Sequence, residues 1–351
     1  MKKNLILIAL IVIGITIRFS AVAKESKDFD VGGMIIEHIT DAHEWHIAKN
    51  IVLPLPVILI DQGKPVIFMS SKFEHGTQVY RGYKLETEGE HKGKITRIEK
   101  DGTIKEIFLD FSITKNVAFL FLVCIILCVA LIYVARQYKK RNGVPRGFQH
   151  IVEILIEFIK DQIAIPSIGE KRYKKFLNYL LTIFSFIFLA NLLGQIPFFP
   201  FGVNLTGSIA VTGVLAVTTF FVTAFSSNKA YWKHMINMPG VPWWLKFPIP
   251  LMPIIEISGM FIKPFVLMVR LFANITAGHS IALALVGLIF VFGKMSIYVG
   301  YGVSIGTILF SVFMGLLELL VAFIQAYVFT LLSALYFGMA KEENHVTTVE
   351  V

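Results

Sequence analysis

From Phe176 to Asn228 the chain reads FLNYLLTIFSFIFLANLLGQIPFFPFGVNLTGSIAVTGVLAVTTFFVTAFSSN, without one charged side chain. A helix crosses the hydrocarbon core of a bilayer in about 20 residues, so this stretch is too long for one span. Pro197, Pro200, Gly202 and Gly207 fall in its middle and break helices. It reads as two spans, about 176–195 and 208–226, joined by an uncharged turn. Lys171-Arg-Tyr-Lys-Lys175 borders it on one side, and Lys229, Lys233 and Lys246 follow on the other. Cationic borders mark the cytoplasmic side, which puts the middle turn outside.

Working outward, Asn116–Gln137 is an earlier span, closed by Tyr138-Lys-Lys-Arg141 and Arg146, and so ends inside. Phe148, Ile151, Val152, Leu155, Phe158 and Ile159 recur at helical spacing. That pattern predicts an amphipathic helix over 148–163, lying at the cytoplasmic interface and ended by Pro166. Two long helical regions follow, about 252–290 and 303–340, with Gly293, Gly300 and Gly302 around the turn between them. The expected fold is an all-α polytopic membrane protein with about five membrane-spanning helices and one interfacial amphipathic helix. The last two spans form a hairpin. The N-terminus lies outside and a tail, 341–351, lies in the cytoplasm.

Composition agrees with this. Hydrophobic residues make up 55% of the 351 and charged ones 16%, where soluble domains carry about 25% charged residues. Mean hydropathy is +0.69. The net charge of +9 comes from lysines and arginines beside the spans, so it is no signature of nucleic-acid binding. Cys124 and Cys128 lie one turn apart in a span and read as buried free thiols.

The first residues form a secretory signal peptide, 1–23. Lys2 and Lys3 precede an apolar run from Leu5 to Ile17, and Ala21-Val-Ala23 is a cleavage site. Arg18 disturbs the pattern, and an uncleaved anchor is the alternative. Residues 24–113 form an extracytoplasmic extension before the membrane domain, 114–340. The extension is charged and holds most of the histidines. Ile51–Ile60 is apolar but short and interrupted by Pro54 and Pro56. Lys94–Ile98 and Thr103–Ile107 flank Asp101-Gly102, a hairpin signal. A small α+β unit is expected, dispensable for ion conduction. His38, His43 and His46 cluster near Asp41 and Glu44. They are weak candidates for a metal site, because the two-histidine zinc helix needs i, i+4 spacing; no metal or other cofactor is expected.

The polar residues worth most attention lie in the last two helices. Arg270 sits in VLMVRLFANITAGH, residues 266–279. An arginine at mid-bilayer costs about 2.5–3.5 kcal/mol on insertion scales and cannot discharge. At 100° per residue Asn274 and Glu256 both lie about 40° from Arg270, with Glu256 about 21 Å toward the cytoplasm. His279 lies about 13 Å outward and about 180° round the helix. Two offset half-channels with a fixed cation between them need this arrangement. Glu318 is the only acid inside the last helix, and Gln325 follows on its face. Folding the hairpin sets Glu318 near the depth of His279 and Gln325 near that of Arg270. A His–carboxylate pair at one depth suits a proton relay.

These residues resemble subunit a of the F-type ATP synthase membrane sector. Arg270-Leu-Phe-Ala-Asn274 through His279 is similar to that family's signature around its essential arginine. Asn191-Leu-Leu-Gly-Gln-Ile-Pro197 with Asn204-Leu-Thr206 resembles a second motif, and Glu318 with Gln325-Ala-Tyr-Val-Phe329 a third. The likeness covers about residues 110–340. It implies a proton-translocating stator subunit in a bacterial inner membrane, partnered by a c-subunit ring, b subunits and the rest of the complex. Arg270, His279, Glu318, Gln325, Asn274 and Glu256 would carry the protons. The chain has no phosphate-binding loop, so no ATP-hydrolysing site is expected here. His279 favours H⁺ over Na⁺. The rival readings are a secondary transporter, which would show internal repeats, and a membrane-anchored metalloenzyme using the outer histidines.

Overall fold

The computed structural model describes residues 31–48, 51–87, 89, 91–99, 103–107, 109–140, 145–196, 199–228, 231–232 and 251–340. The signal peptide and the 341–351 tail lie outside the described residues, as do Lys229, Lys233, Lys246 and the Asp101-Gly102 turn. Five helices are long and apolar enough to cross a membrane. They are α2 (Lys115–Lys140), α5 (Tyr173–Gly194), α6 (Ile209–Ser226), α7 (Leu251–Met295) and α8 (Ile297–Met339). Their ends fall where charge returns: Lys115, Lys139 and Lys140 bound α2, and Lys174 and Lys175 open α5. Burying those ammonium groups in hydrocarbon would cost kilocalories each.

The membrane core is built from α5, α7, α8 and the end of the amphipathic segment. Phe176, Leu180, Phe184 and Ile187 of α5 meet Leu267 and Leu271 of α7 and Phe329, Ala334 and Phe337 of α8. The amphipathic segment begins with α3 (Phe148–Phe158), then widens to a π-helical stretch at Ile159–Ala164. It continues as α4 (Ile165–Ile168) and stops at Gly169, φ +93°. Pro166 therefore does not end it. Proline forfeits one intrahelical bond and crowds the preceding turn, and the π-helical widening sits just where that turn must give. The first half leaves Phe148, Ile151 and Ile154 exposed. The second half buries Ile159, Ile163 and Ala164 in the core.

The hairpin turn also differs from expectation. Helix α8 starts at Ile297 and the break is Ser296 in extended conformation. Gly293 and Gly300 lie inside the helices. A Cβ on Gly300 would come within 2.8 Å of the Gly293 Cα, so these glycines let two backbones touch rather than turn a loop.

The extension is α+β. Helix α1 (Val31–Ile39) precedes β1 (Glu44–Ala48) and β2 (Ile51–Pro54). Then come β3 (Pro56–Asp61), β4 (Lys64–Met69), β5 (Tyr83–Leu85), β6 (Ile95–Ile98), β7 (Ile104–Glu106) and β8 (Leu109–Asp110). They form three antiparallel sheets, β1-β2, β4-β3-β8 and β5-β6-β7. The apolar 51–60 run is thus two strands broken at Leu55. The expected hairpin is β6-β7, with Thr96 opposite Glu106 and Ile98 opposite Ile104. Alternation along β3 buries Val57 and Leu59 against Phe68, Phe73, Tyr83 and Ile95.

The extension is anchored on the membrane part. Trp45 and Leu55 bury among Phe119 and Val123 of α2, Ala190 of α5, and Val203 and Leu205 of the outer turn. Trp45 also meets Phe199 edge-on, centroids 5.1 Å apart. The Asp41 carboxylate accepts from the Ala42 and Asn116 backbone N–H groups at 2.9 and 3.0 Å, capping the start of α2. Helix α1 lies against α7 at Gly287, where a Cβ would clash with the Val31 side chain at 2.6 Å.

Candidate functional site

The site follows from how α7 and α8 pack. Leu267 and Leu271 turn into the core, 2% and 0% exposed, which leaves Arg270 at the edge of the same helix face. Its guanidinium is exposed and joins no ion pair among the described residues. It lies within electrostatic reach of Tyr336 on α8. A long helical side chain leans toward its helix N-terminus, which carries this charge toward that end of α7.

One turn along from Arg270, the Asn274 amide Nδ2 donates to the Gln325 Oε1 at 2.9 Å. Gln325 is 4% exposed, so this bond joins the two helices inside the interface. Gln325 therefore meets Asn274, not Arg270, one helical turn from the depth that sequence counting suggests. Glu318 lies against Gly278: a Cβ there would stand 3.4 Å from the Glu318 Oε1. The residue beside Gly278 is His279, so Glu318 and His279 share a depth, as the hairpin register requires. The Glu318 Oε1 is buried with no hydrogen-bond partner among the described residues. The Glu256 backbone lies in α7, but its side chain is outside the described residues.

The second motif forms a polar knot in the outer turn rather than a path. The Thr206 hydroxyl donates to the Asn191 Oδ1, and the Asn204 Oδ1 accepts from the Gly207 N–H at 2.9 Å. All three side chains are buried. Gly194 lets the Val203 carbonyl approach to 2.9 Å of where its Cβ would sit. The knot fixes the turn between α5 and α6, onto which Trp45 docks.

In the extension, the His43 Nε2 lies 3.8 Å from the Asp110 Oδ2, an ion-pair distance too long for a hydrogen bond. Burial tends to raise the Asp110 pKa, but His43 and the Ser112 hydroxyl and N–H outweigh it and hold the carboxyl below its usual range. The His38 and His46 side chains lie outside the described residues. Among the described residues no group of three or more His, Cys, Asp or Glu is arranged to hold a metal.

Sequence reasoning missed the surroundings of Lys263. Its ammonium lies 5.6 Å from the Tyr336 ring centroid and borders a cavity between α6, α7 and α8. The signal was spacing: Lys263 stands two turns from Arg270, about 20° round the helix.

Fold and site together define a five-span membrane protein with ionisable groups set at matching depths in its two longest helices. The chain belongs to the ATP synthase A chain family, whose model matches residues 117–338. Relatives named ATP synthase subunit a include that of Chloroherpeton thalassium, 41% identical over 67% of this chain and 69% of the relative. That of Chlorobium phaeobacteroides strain BS1 is 44% identical over 67% and 68%, and that of Myxococcus xanthus 40% over 68% and 75%. A second family model, described as a domain of unknown function, matches residues 34–115, which is the extension.

Proposed function

We propose that this chain is the proton-translocating stator subunit of an F-type ATP synthase in a bacterial inner membrane, facing a c-subunit ring and held by b subunits. The observation that carries the reading is an exposed Arg270 without an ion pair among the described residues, beside an Asn274–Gln325 bond and inward of Glu318. A cation left open on a membrane helix invites an anion from a partner. A carboxylate on each ring subunit is that anion, and the cation keeps it ionised.

Protons would enter from outside past His279 and Glu318 and neutralise one ring carboxylate. The neutral acid then turns through lipid at low cost, where its charged form could not. After nearly a full turn it meets Arg270 again and releases its proton inward, toward Glu256. Arg270 separates the two half-channels, because a fixed positive charge repels protons that would cross directly. Asn274 and Gln325 hold the helices in register behind it. Each proton moved through 100 mV yields about 2.3 kcal/mol, so several steps must be geared to each nucleotide made on other subunits.

The orientation with the extension and signal peptide outside and the C-terminus inside rests on the lysine and arginine borders. The test is Arg270→Ala in the whole complex, reconstituted in vesicles. ATP-driven acidification should vanish while passive proton leak persists or rises. Normal pumping with an intact complex would overturn the reading.

A further inference from the structure

The cavity beside Lys263 is the strongest unassigned feature of the molecule. Its volume is about 450 Å³, within the range that holds a small ligand. Its walls include Phe220 and Ala224 of α6, Pro264 of α7 and Met339 of α8. Two threonines also line it, but their hydroxyls are committed. The Thr219 Oγ1 donates to the Leu215 carbonyl at 3.0 Å and the Thr223 Oγ1 to the Thr219 carbonyl at 2.8 Å. They present methyl groups inward. A buried water needs two to four polar partners, and these walls supply few. The cavity suits hydrocarbon and is a poor aqueous route.

At its edge stands a cation. Lys263 is exposed and has no carboxylate within ion-pair distance among the described residues. Its contact is the face of Tyr336, a cation–π interaction that leaves ammonium donors for an anion. Arg270 also reaches Tyr336 electrostatically, so two positive charges converge on one rim. Lys263 lies about 10 Å from Arg270 along α7, toward its first residues. The helix ends at Ser226 and Met339 lie on the same side. Basic pockets between membrane helices at this depth bind lipid head groups.

We propose that this cavity holds one anionic phospholipid, its phosphate on Lys263 and an acyl chain between α6, α7 and α8. The inner-leaflet assignment rests on the orientation proposed above; the binding does not. An acyl chain filling the cleft would brace α6 against the Arg270-bearing helix without contributing to proton transfer.

The test uses the whole complex in phosphatidylcholine vesicles carrying phosphatidylglycerol with a photoreactive group in its acyl chain. Crosslinked peptides are mapped by mass spectrometry, so the readout is independent of pumping. Crosslinks should fall on Phe220–Ala224 and Met339, and unlabelled phosphatidylglycerol should compete them away. Lys263→Gln should weaken capture roughly fivefold, the loss that one lysine's attraction to an anionic headgroup sets, and Lys263→Arg should restore it. Ala224→Trp, which fills the slot and keeps the charge, should abolish capture, and it decides the matter if Lys263→Gln fails to assemble. Equal capture of a photoreactive phosphatidylcholine would overturn the proposal. Capture indifferent to Ala224→Trp, or competition by inorganic phosphate alone, which would mark a free-phosphate site, would overturn it equally.

Discussion

The Asn274–Gln325 hydrogen bond should be the main polar tie between the two long helices, and its strength can be worked out. The Asn274 amide donates at 2.9 Å to an acceptor on a side chain 4% exposed. Asn274→Leu leaves the Gln325 Oε1 buried without its donor, which costs about 1–3 kcal/mol. Measured cross-helix bonds in membranes average about 0.6 kcal/mol and reach about 1.7, because the separated helices find other partners. A coupling near 1 kcal/mol follows, about fivefold in an equilibrium constant. The assay is amide hydrogen exchange over 270–280 and 318–330 in the reconstituted complex, for wild type, Asn274→Leu, Gln325→Leu and the double variant. Each single change should speed exchange in both helices about fivefold. The double variant should exchange no faster than the worse single, because it leaves neither amide stranded. Fold-changes that simply multiply would mean the two side chains do not interact, and the register of the site would lose its support.

Two further outcomes concern the extension. Trp45→Ala removes a side chain 7% exposed and its edge contact with Phe199. Loss of a buried tryptophan costs about 3–5 kcal/mol, so protease added from the extension's side should cleave within 31–113 while α2–α8 stay protected; unchanged cleavage would sink the docking argument. Asp110, held below its usual pKa by His43 and Ser112 against the effect of burial, stabilises the fold above its unfolded pKa, near 3.9. That contribution disappears as pH falls through the lower folded value. Exchange protection around 43–58 should therefore be flat, as far as Asp110 is concerned, from pH 8 to 5 and fall below about pH 4. Asp110→Asn should start weaker and converge with wild type in acid, and parallel profiles would contradict the pairing.

The five spans were legible because they obey a single large penalty. A lysine in hydrocarbon costs so much that Lys115, Lys139 and Lys174 announce helix ends more surely than any propensity does. Motifs whose meaning depends on contact were less legible. Gly293 and Gly300 read as loop residues, since glycine marks turns in a linear pattern. In the folded chain they are the points where α7 and α8 touch. Pro166 read as a stop, yet the neighbouring π-helical turn absorbs it. The extension gave away only the 95–107 hairpin. Nothing along the sequence says that Trp45 and Leu55 bury against a membrane helix some seventy residues on.

The site divides along the same line. Counting along an antiparallel hairpin brought Glu318 to the level of Gly278 and His279, because helical rise is a fixed length and errors over one hairpin stay small. It put Gln325 one turn from its partner, because side-chain length is not fixed. Arg270 leans toward the start of α7 and Tyr336, and the short Asn274 takes up the amide instead. The same lean explains why the Lys263 cavity escaped notice. Its cation is two turns from Arg270 in sequence, but its walls come from three helices whose approach depends on side-chain volume. The face that Arg270 leaves open was readable from charge alone; what packs behind it was not. Substitutions at Arg270 should therefore act on ion coupling, and substitutions at Asn274, Gln325 and Lys263 on how the helices around it are held.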